Sequence, residues 1–467
     1  MAIAQHHLCA LESIAGEKAV IPASVSQAHL TEWRKKWPGQ SPLLLAPGTT
    51  EEVSAIVRYC HEHSIGITPQ GGNTGLVGGQ MPQGQILITL KRMRKVRDVS
   101  PLNNAMTLEA GVTLAEAQNT AKEVDRLFPL SIGSEGTCQI GGVVSTNAGG
   151  VNVIRYGNMR DLVLGIEAVL PNGEIWNGLT ALRKDNTGYD VKHLLVGGEG
   201  TLGIVTAATL KIYPRPRETV TAFAALKSPQ CAVDLLNFMQ GQTGGLASSF
   251  ELMSQPLMTL VSQHFDGLKS PLETITPWYV LMEFSTGQEG QLRSGIESAL
   301  AEAHGKNMIL DATIAENEMQ AERLWALRHH AAPAMAQDPA SAVKCDISVP
   351  IHYIPNFLQS ADEVVAAQQP ASRVIAFGHM GDGNIHYDVL GPSDAAQSDF
   401  EAARPKMQLE IHDIVASLDG SISAEHGIGI FKRDELKIRK SETELAMMRA
   451  IKNALDPKGI MNPGKLL

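Results

Sequence analysis

The chain has 467 residues, 43% of them hydrophobic and 19% charged, with a formal net charge of −10 and five scattered cysteines. That length exceeds what one hydrophobic core serves, so two or three domains are expected. The acidic balance, without long Lys/Arg runs, argues against a nucleic-acid binder, and cysteines that lack C-x-x-C spacing exclude a self-contained iron–sulfur motif and point to a reducing compartment.

The N-terminal stretch "MAIAQHHLCALESIAGEKAV" lacks a basic region followed by a long apolar one, so no signal peptide is expected. No uninterrupted apolar run reaches membrane-span length, and a cytoplasmic protein is predicted. "EEVSAIVRYCHEHSI" (51–65) reads as a helix, "GIT" as a short strand, and "TPQGGNTG" (68–75) as a glycine-rich loop after it. Such a loop can bring backbone N–H groups close to a phosphate. It has neither the G-x-G-x-x-G spacing of a Rossmann turn nor the G-K-[ST] of a P-loop, so by itself it reads equally well as a plain turn. The basic cluster "KRMRKVRDV" (91–99) reads as a solvated strand and turn. "GSEGTCQIGGVVSTNAGG" (133–150) is less ordinary, because five Ser, Thr and Asn side chains stand among its glycines. A polar backbone surface of that length is costly to bury empty, and a large extended polar ligand would satisfy it. After a third glycine group, "LVGGEGTLGI" (195–204), the closely spaced prolines of "PRPRE" (214–218) mark a domain boundary.

Beyond it, "TAFAALKS" reads as a strand, "PQCAVDLLNFMQ" as a helix, "SSFELMS" and "WYVLMEFST" as strands, "EGQLRSGIESALAEAH" as a helix and "NMILDATIAE" as a strand. This β-α-β-β-α-β order predicts a ferredoxin-like antiparallel sheet with helices on one face. A single helix "ENEMQAERLWALRHHAAPAMAQ", a strand "VKCDISVPI" and the strand–loop–strand "FGHMGDGNIHYDV" (377–389) follow. A polar helix (397–418), the segment "GSISAEHGIG" and a final helix running into "LDPKGIMNPGKLL" complete the chain.

Six blocks in register carry a resemblance over nearly the whole chain, from about residue 40 onward: "PQGGNTG", "IGGVVSTNAGGVNVIRYGNMRDLVLGIEAVLPNGEI", "LRKDNTGYDVKHLLVGGEGTLGIVTAATLKIYPRP", "FGHMGDGNIHYDV", "SAEHGIGIFK" and "LDPKGIMNPGKLL". Together they resemble the FAD-linked 2-hydroxyacid dehydrogenases, which include D-lactate and D-2-hydroxyglutarate dehydrogenases and the flavin subunit of glycolate oxidase. The resemblance implies an α+β fold: a two-part FAD-binding domain of the vanillyl-alcohol-oxidase type (1–216), a substrate and metal domain built on the ferredoxin-like sheet (217–425), and a C-terminal helical segment (426–467) returning to the FAD domain. It implies that Gly71, Gly72, Asn73, Thr74 and Gly75 wrap the FAD pyrophosphate and that Pro69 and Gly79 also contact the cofactor. Gly133, Ser134, Thr137, Gly141, Gly142, Ser145 and Asn147 would line the rest of the cofactor, Gly200 and Ile204 the adenine end, and Asn462 the isoalloxazine. Where some relatives of the wider fold attach the flavin through a first-loop histidine, this chain has Asn73, so non-covalent FAD is expected.

Two imidazoles and a carboxylate suit a divalent transition metal, and open catalytic sites commonly use three protein ligands. His379 and His386 can converge if the glycines between them turn the chain, and "SAEHGIG" supplies Glu425 as the acid, as the resemblance also implies. Zinc leads, with manganese-like ions open. A metal on the C2 hydroxyl would stabilise the developing alkoxide, His426 would take the hydroxyl proton, and the flavin N5 the hydride. Asn384 would hydrogen-bond a substrate oxygen, and Asp382 would hold the loop or orient a histidine. Arg328 and Lys344 are the expected carboxylate readers, since a guanidinium fork matches a carboxylate. Ala332 departs from those 2-hydroxyglutarate dehydrogenases that carry Thr four residues after the Arg, while His329 and His330 read as exposed helical histidines. The expected partners are a small 2-hydroxy acid, most specifically D-2-hydroxyglutarate ahead of D-lactate or glycolate, and an external electron acceptor, either an electron-transfer flavoprotein or a quinone. A homodimer stays open. Two other classes remain at this stage: a zinc hydrolase using the same His/His/Glu set, and a non-catalytic flavin subunit of a larger complex.

Overall fold

The structure is a computed structural model that describes residues 3–392 and 397–467. It divides into two compact units: Met1–Gly149 with Gly157–Arg215 and Glu425–Leu467, and Gly150–Tyr156 with Pro216–Ala424. Among the described residues no helix is long and apolar enough to cross a membrane.

In the first unit, helix Thr50–Glu62 starts where the Thr49 side chain accepts the Glu52 N–H. Its Val53, Ile56, Val57 and Cys60 recur at helical spacing and are fully buried. They pack on a parallel sheet ordered Leu44–Leu45, Ile86–Thr89, Ile67–Gln70. An antiparallel sheet follows, ordered Val96–Ser100, Ala105–Glu109, Ile204–Lys211, Val163–Val169, Ile175–Gly178. The basic cluster feeds its edge strand, whose first three residues are exposed. Arg97 nonetheless folds back to Glu167 at 3.0 Å and Glu109 at 3.4 Å. The C-terminal residues join the parallel sheet. Met461 bridges Ile67 in parallel, and Asn462 N donates to the Ile67 carbonyl at 2.8 Å. The Asp456 carboxylate sets this up by accepting the N–H groups of Ile460 and Met461, at 3.1 and 2.9 Å, and the Lys452 ammonium at 2.6 Å.

The second unit is built on one seven-stranded sheet, ordered Asp311–Ile314, Glu218–Leu226, Trp278–Thr286, Ala247–Ser254, Arg373–His379, Asn384–Leu390, Ala342–Ser348. The four strands expected to form a ferredoxin-like sheet do so, in the order fourth, first, third, second. The two histidine-bearing strands and Ala342–Ser348 extend the same sheet. Two expectations are corrected here. Helices cover both faces, not one: Pro229–Thr243, Leu292–Gly305, Ile354–Gln368 and Gln397–Ser417 pack on one side, and Gln255–His264, Glu318–His329 and Ala331–Gln337 on the other. "TAFAAL" is buried on both faces, and its unbroken apolar run without polar alternation is the local mark of a second covering layer. The expected single helix 316–337 is broken at His330, because Pro333 has no N–H for a continuing ladder.

Candidate functional site

In the second unit the seven-residue spacing of the histidines closes as a hairpin. Phe377 pairs with His386 across the two strands, and the chain turns through Met380–Gly383. Gly383 makes the turn possible: its φ is +87°, and a Cβ there would stand 2.2 Å from the Val349 carbonyl oxygen. Asp382 does hold the loop as expected, since its Oδ1 accepts the Asn384 N–H at 3.0 Å, and burial pushes its carboxyl up to about 6. The result is a near-perpendicular imidazole pair with ring centres 5.7 Å apart and ligand nitrogens within 4.8 Å.

Each imidazole faces a carboxylate across the sheet. Glu251 is the register partner of His379, and Asp346 that of His386. Glu251 is fully buried, its Oε1 2.6 Å from His379 Nδ1 and its Oε2 accepting Arg328 Nε at 2.6 Å. Burial opposes its ionisation, but His379 and Arg328 outweigh burial and hold the carboxyl well below the ordinary carboxylate range. An ionised carboxylate only accepts, so His379 places an N–H on Nδ1, which leaves Nε2 as the atom a metal would use. His386 Nδ1 lies 3.9 Å from Asp346 Oδ1. Sequence reasoning named neither Glu251 nor Asp346; each is one acidic residue inside a strand, and only the register reveals its partner.

Arg328, Lys344 and Asn384 stand around this pair. Arg328 is the only predicted site residue on helix Glu318–His329; its guanidinium lies 4.8 Å from the Phe377 ring, with Nε fixed by Glu251. Lys344 sits opposite Asp388, 3.8 Å away. Asn384 needs refining. Its Nδ2 donates to Asp346 Oδ1 at 3.1 Å and to the Ile347 carbonyl at 2.8 Å, and its buried Oδ1 has no partner. It therefore offers a substrate an acceptor, not a donor. His329 stacks on Trp325, and His330 Nδ1 lies 2.8 Å from the Ala326 carbonyl. Ala424, the last residue of this unit, donates its N–H to the Asp346 carbonyl at 3.3 Å. Glu425 is therefore one peptide bond from a residue pinned to the strand that carries Asp346.

The first unit holds the glycine loops. A Cβ on Gly72 would fall 1.9 Å from the Thr137 carbonyl oxygen, and one on Gly71 3.5 Å from Gly142 Cα, so the first loop runs against the second. Gly200, at φ +71°, packs on Pro69, and Gly75 on the Gln80 amide. Gly133 and Gly142 border open space, while Thr74 and Ser134 are half-buried. The polar side chains of the second loop are less available than expected. Ile140–Ser145 is a short helix, so Ser145 Oγ and Thr146 Oγ1 donate back to Gly141 and Gly142, at 2.7 and 3.0 Å, and Gly141 packs on Ala110. Asn147 Oδ1 accepts Arg160 N at 2.8 Å. Ile204 has its side chain in the apolar core, which leaves only its backbone for a ligand.

The residues fit FAD by what they leave unmet. Asn73 Nδ2 donates to the Ala28 and Thr31 carbonyls at 3.1 and 3.0 Å. Asn462 Nδ2 donates to those of Gly79 and Glu199, at 2.9 Å each. These bonds fix both amide orientations and leave Asn73 Oδ1 and Asn462 Oδ1, with Gln139 Oε1, buried and unpartnered. Each such acceptor costs about 1–3 kcal/mol until a donor meets it, and a dinucleotide brings ribose hydroxyls and ring N–H groups. Glu199 is the residue that sequence reasoning missed here. Its carboxylate accepts the N–H groups of Ile428 and Gly429 at 2.8 Å each, which fixes the backbone just after His426.

A glycine-lined dinucleotide cradle and a separate unit bearing a carboxylate-backed histidine pair define a flavin-dependent oxidoreductase of the vanillyl-alcohol-oxidase fold. Residues 41–178 match the FAD binding domain model and residues 215–466 the model of FAD linked oxidases, C-terminal domain. The chain is 35% identical over 466 residues to mitochondrial D-2-hydroxyglutarate dehydrogenase of Danio rerio, covering 100% of this chain and 86% of that one. It is also 35% identical over 444 residues to D-2-hydroxyglutarate–pyruvate transhydrogenase of Saccharomyces cerevisiae, covering 93% and 88%. The crystal structure of p-cresol methylhydroxylase matches with a TM-score of 0.77 at 14% identity, covering 99% of this chain and 97% of that one, a likeness of fold alone. The chain belongs to the FAD-linked 2-hydroxyacid dehydrogenase family of oxidoreductases.

Proposed function

We propose that the protein oxidises D-2-hydroxyglutarate to the 2-oxo acid, with non-covalent FAD and a divalent metal, zinc first, held by His379, His386 and Glu425. The observation that carries this reading is the Arg328–Glu251–His379 chain, in which one buried carboxylate orients a carboxylate-binding guanidinium and a metal-binding imidazole together. When bound, the metal would act as a Lewis acid on the C2 hydroxyl oxygen and the flavin would take the electron pair. The chain's own residues bind, orient and deprotonate. Arg328 presents its Nη groups to the C1 carboxylate, with its planar fork held by Glu251 and Phe377. Lys344 reads the distal carboxylate in competition with Asp388, and His426 takes the hydroxyl proton at an imidazole nitrogen. An external carrier, an electron-transfer flavoprotein or a quinone, reoxidises the enzyme.

Anaerobic mixing with D- and L-2-hydroxyglutarate, D- and L-lactate and glycolate tests the reading. D-2-hydroxyglutarate should bleach the flavin fastest. Equal rates with D-lactate would remove Lys344 as a reader of the second carboxylate, and no bleaching with any acid would remove the function. Acid precipitation should leave all the FAD in the supernatant, because the Asn73 amide is no nucleophile and its Nδ2 is already engaged by two carbonyls. Yellow colour in the pellet would show a covalent link.

A further inference from the structure

The C-terminal segment of the first unit carries two lysines with opposite circumstances, Lys452 half-buried and Lys465 buried. Lys452 is saturated: its ammonium donates to the Thr201 and Met461 carbonyls and to Asp456. Lys465 is 3% exposed, and its Nζ has no hydrogen-bond partner. An ammonium taken out of water without an anion is among the costliest groups a fold can bury, so such a group is kept only where something else compensates it. Burial alone pulls its pKa down to about 8, with no charged neighbour offsetting it. Glu199 does not serve, since both its oxygens accept backbone N–H groups of Ile428 and Gly429.

The surrounding backbone fixes this lysine. Left-handed residues alternate along the segment, at Asn462 (φ 43°), Gly464 (φ 78°) and Leu466 (φ 66°). Leu466 N donates to the Gly429 carbonyl at 3.1 Å, and Arg433 Nη1 to that of Gly464 at 3.0 Å. Positive φ at two non-glycine residues is strain of the kind that persists where a site needs a set geometry. Three residues before Lys465, Asn462 leaves a buried acceptor unmet as well. The segment thus presents a donor and an acceptor, both buried and unpartnered, and its backbone bonds run to Ile67 and Gly429, not to the Gly71–Gly75 loop.

We propose that Lys465 is a flavin-tuning residue, whose ammonium lies against the pyrimidine edge of the bound isoalloxazine and stabilises the negative charge that edge gains on reduction. The proposal rests on the chain's binding of FAD. Oxidised isoalloxazine is neutral and its reduced form carries charge near N1, so a fixed cation there favours the reduced form and electrophilic behaviour at N5. A cation on the pyrophosphate would instead act on cofactor affinity alone.

Sulfite separates the two, because it adds to N5 and leaves the ring anionic. The purified holoenzyme, Lys465→Met, Lys465→Arg and Lys465→Gln are titrated with sulfite by flavin absorbance, and FAD affinity is measured on the apoproteins by flavin fluorescence. Lys465→Met and Lys465→Gln should bind sulfite roughly tenfold to a hundredfold more weakly, with FAD affinity changed much less, and Lys465→Arg should recover most of the loss. If Lys465→Met fails to fold, Lys465→Gln, which keeps a polar end in the same space, carries the comparison. Unchanged sulfite affinity in a flavin-loaded variant overturns the proposal. Weakened FAD binding with unchanged sulfite affinity also overturns it and moves the ammonium to the pyrophosphate. Wild-type protein purified without FAD and unable to take it up would instead overturn the cofactor itself, a different failure.

Discussion

His386→Ala should give a folded, yellow protein that no longer holds its metal and whose flavin stays oxidised when D-2-hydroxyglutarate is added. His386 lies on the polar side of its strand, while its neighbours Ile385 and Tyr387 pack into the opposite apolar core, so truncation leaves that core intact. The predicted flavin residues all belong to the first unit, so FAD should be retained. Losing Lewis-acid stabilisation of an alkoxide costs several kcal/mol of barrier, a rate loss of about a hundredfold or more. Chelation should do the same to the wild type, and a divalent ion should reverse it. His426→Ala should differ, keeping the metal while losing about 10²–10⁴ in rate, the usual worth of a general base. Metal-stripped wild type, checked by elemental analysis, that still reduces its flavin at full speed would sink the metal reading. The histidines would then act as direct hydrogen-bond donors.

How much of this was legible in advance follows the range of the interactions. Local features read well. The glycine loop after "GIT", the succession of strands and helices over 218–314 and the solvated edge at 96–98 all depend on neighbours a few residues apart. The histidine pair was legible because "HMGDGNIH" carries both imidazoles and the glycines that turn between them. Glu251, Asp346 and Glu199 were not, since each gains its role from a partner more than thirty residues away, through sheet register or a buried carboxylate. The availability of side-chain atoms was equally hidden. Ser145 and Asn384 were expected as polar contacts by residue type. Which of their atoms remain to be offered depends on back-bonding within a short helix for Ser145 and on Asp346 for Asn384. The second helical layer was missed because the β-α-β-β-α-β order points to helices on one face, although the unbroken apolar run of "TAFAAL" marks a strand covered on both.

Glu251→Gln should be the most informative substitution, because it keeps the shape and removes only the charge. The wild-type carboxylate accepts on both sides, from Arg328 Nε at 2.6 Å and beside His379 Nδ1 at 2.6 Å. A glutamine amide has one oxygen and one NH₂. If the oxygen stays with Arg328, the NH₂ meets Nδ1, and a neutral imidazole can accept it only by moving its proton to Nε2. That tautomer has no lone pair where the metal needs one, so metal affinity should fall about 10–100-fold. If the oxygen turns to His379 instead, the NH₂ faces the Arg328 guanidinium, and a nearly buried cation loses its acceptor together with the counter-ion that either orientation removes. Removing one partner of a buried pair costs about 3–5 kcal/mol of stability. Either orientation fails somewhere. Chelator competition should therefore show weaker metal binding, or thermal unfolding a lower Tm, together with a raised KM for the hydroxy acid through the loosened Arg328. Glu251→Asp keeps the charge on a shorter stem and should fall between the two. If Glu251→Gln matches wild type in metal affinity, Tm and KM, then Glu251 is a bystander and the carboxylate does not couple the two groups.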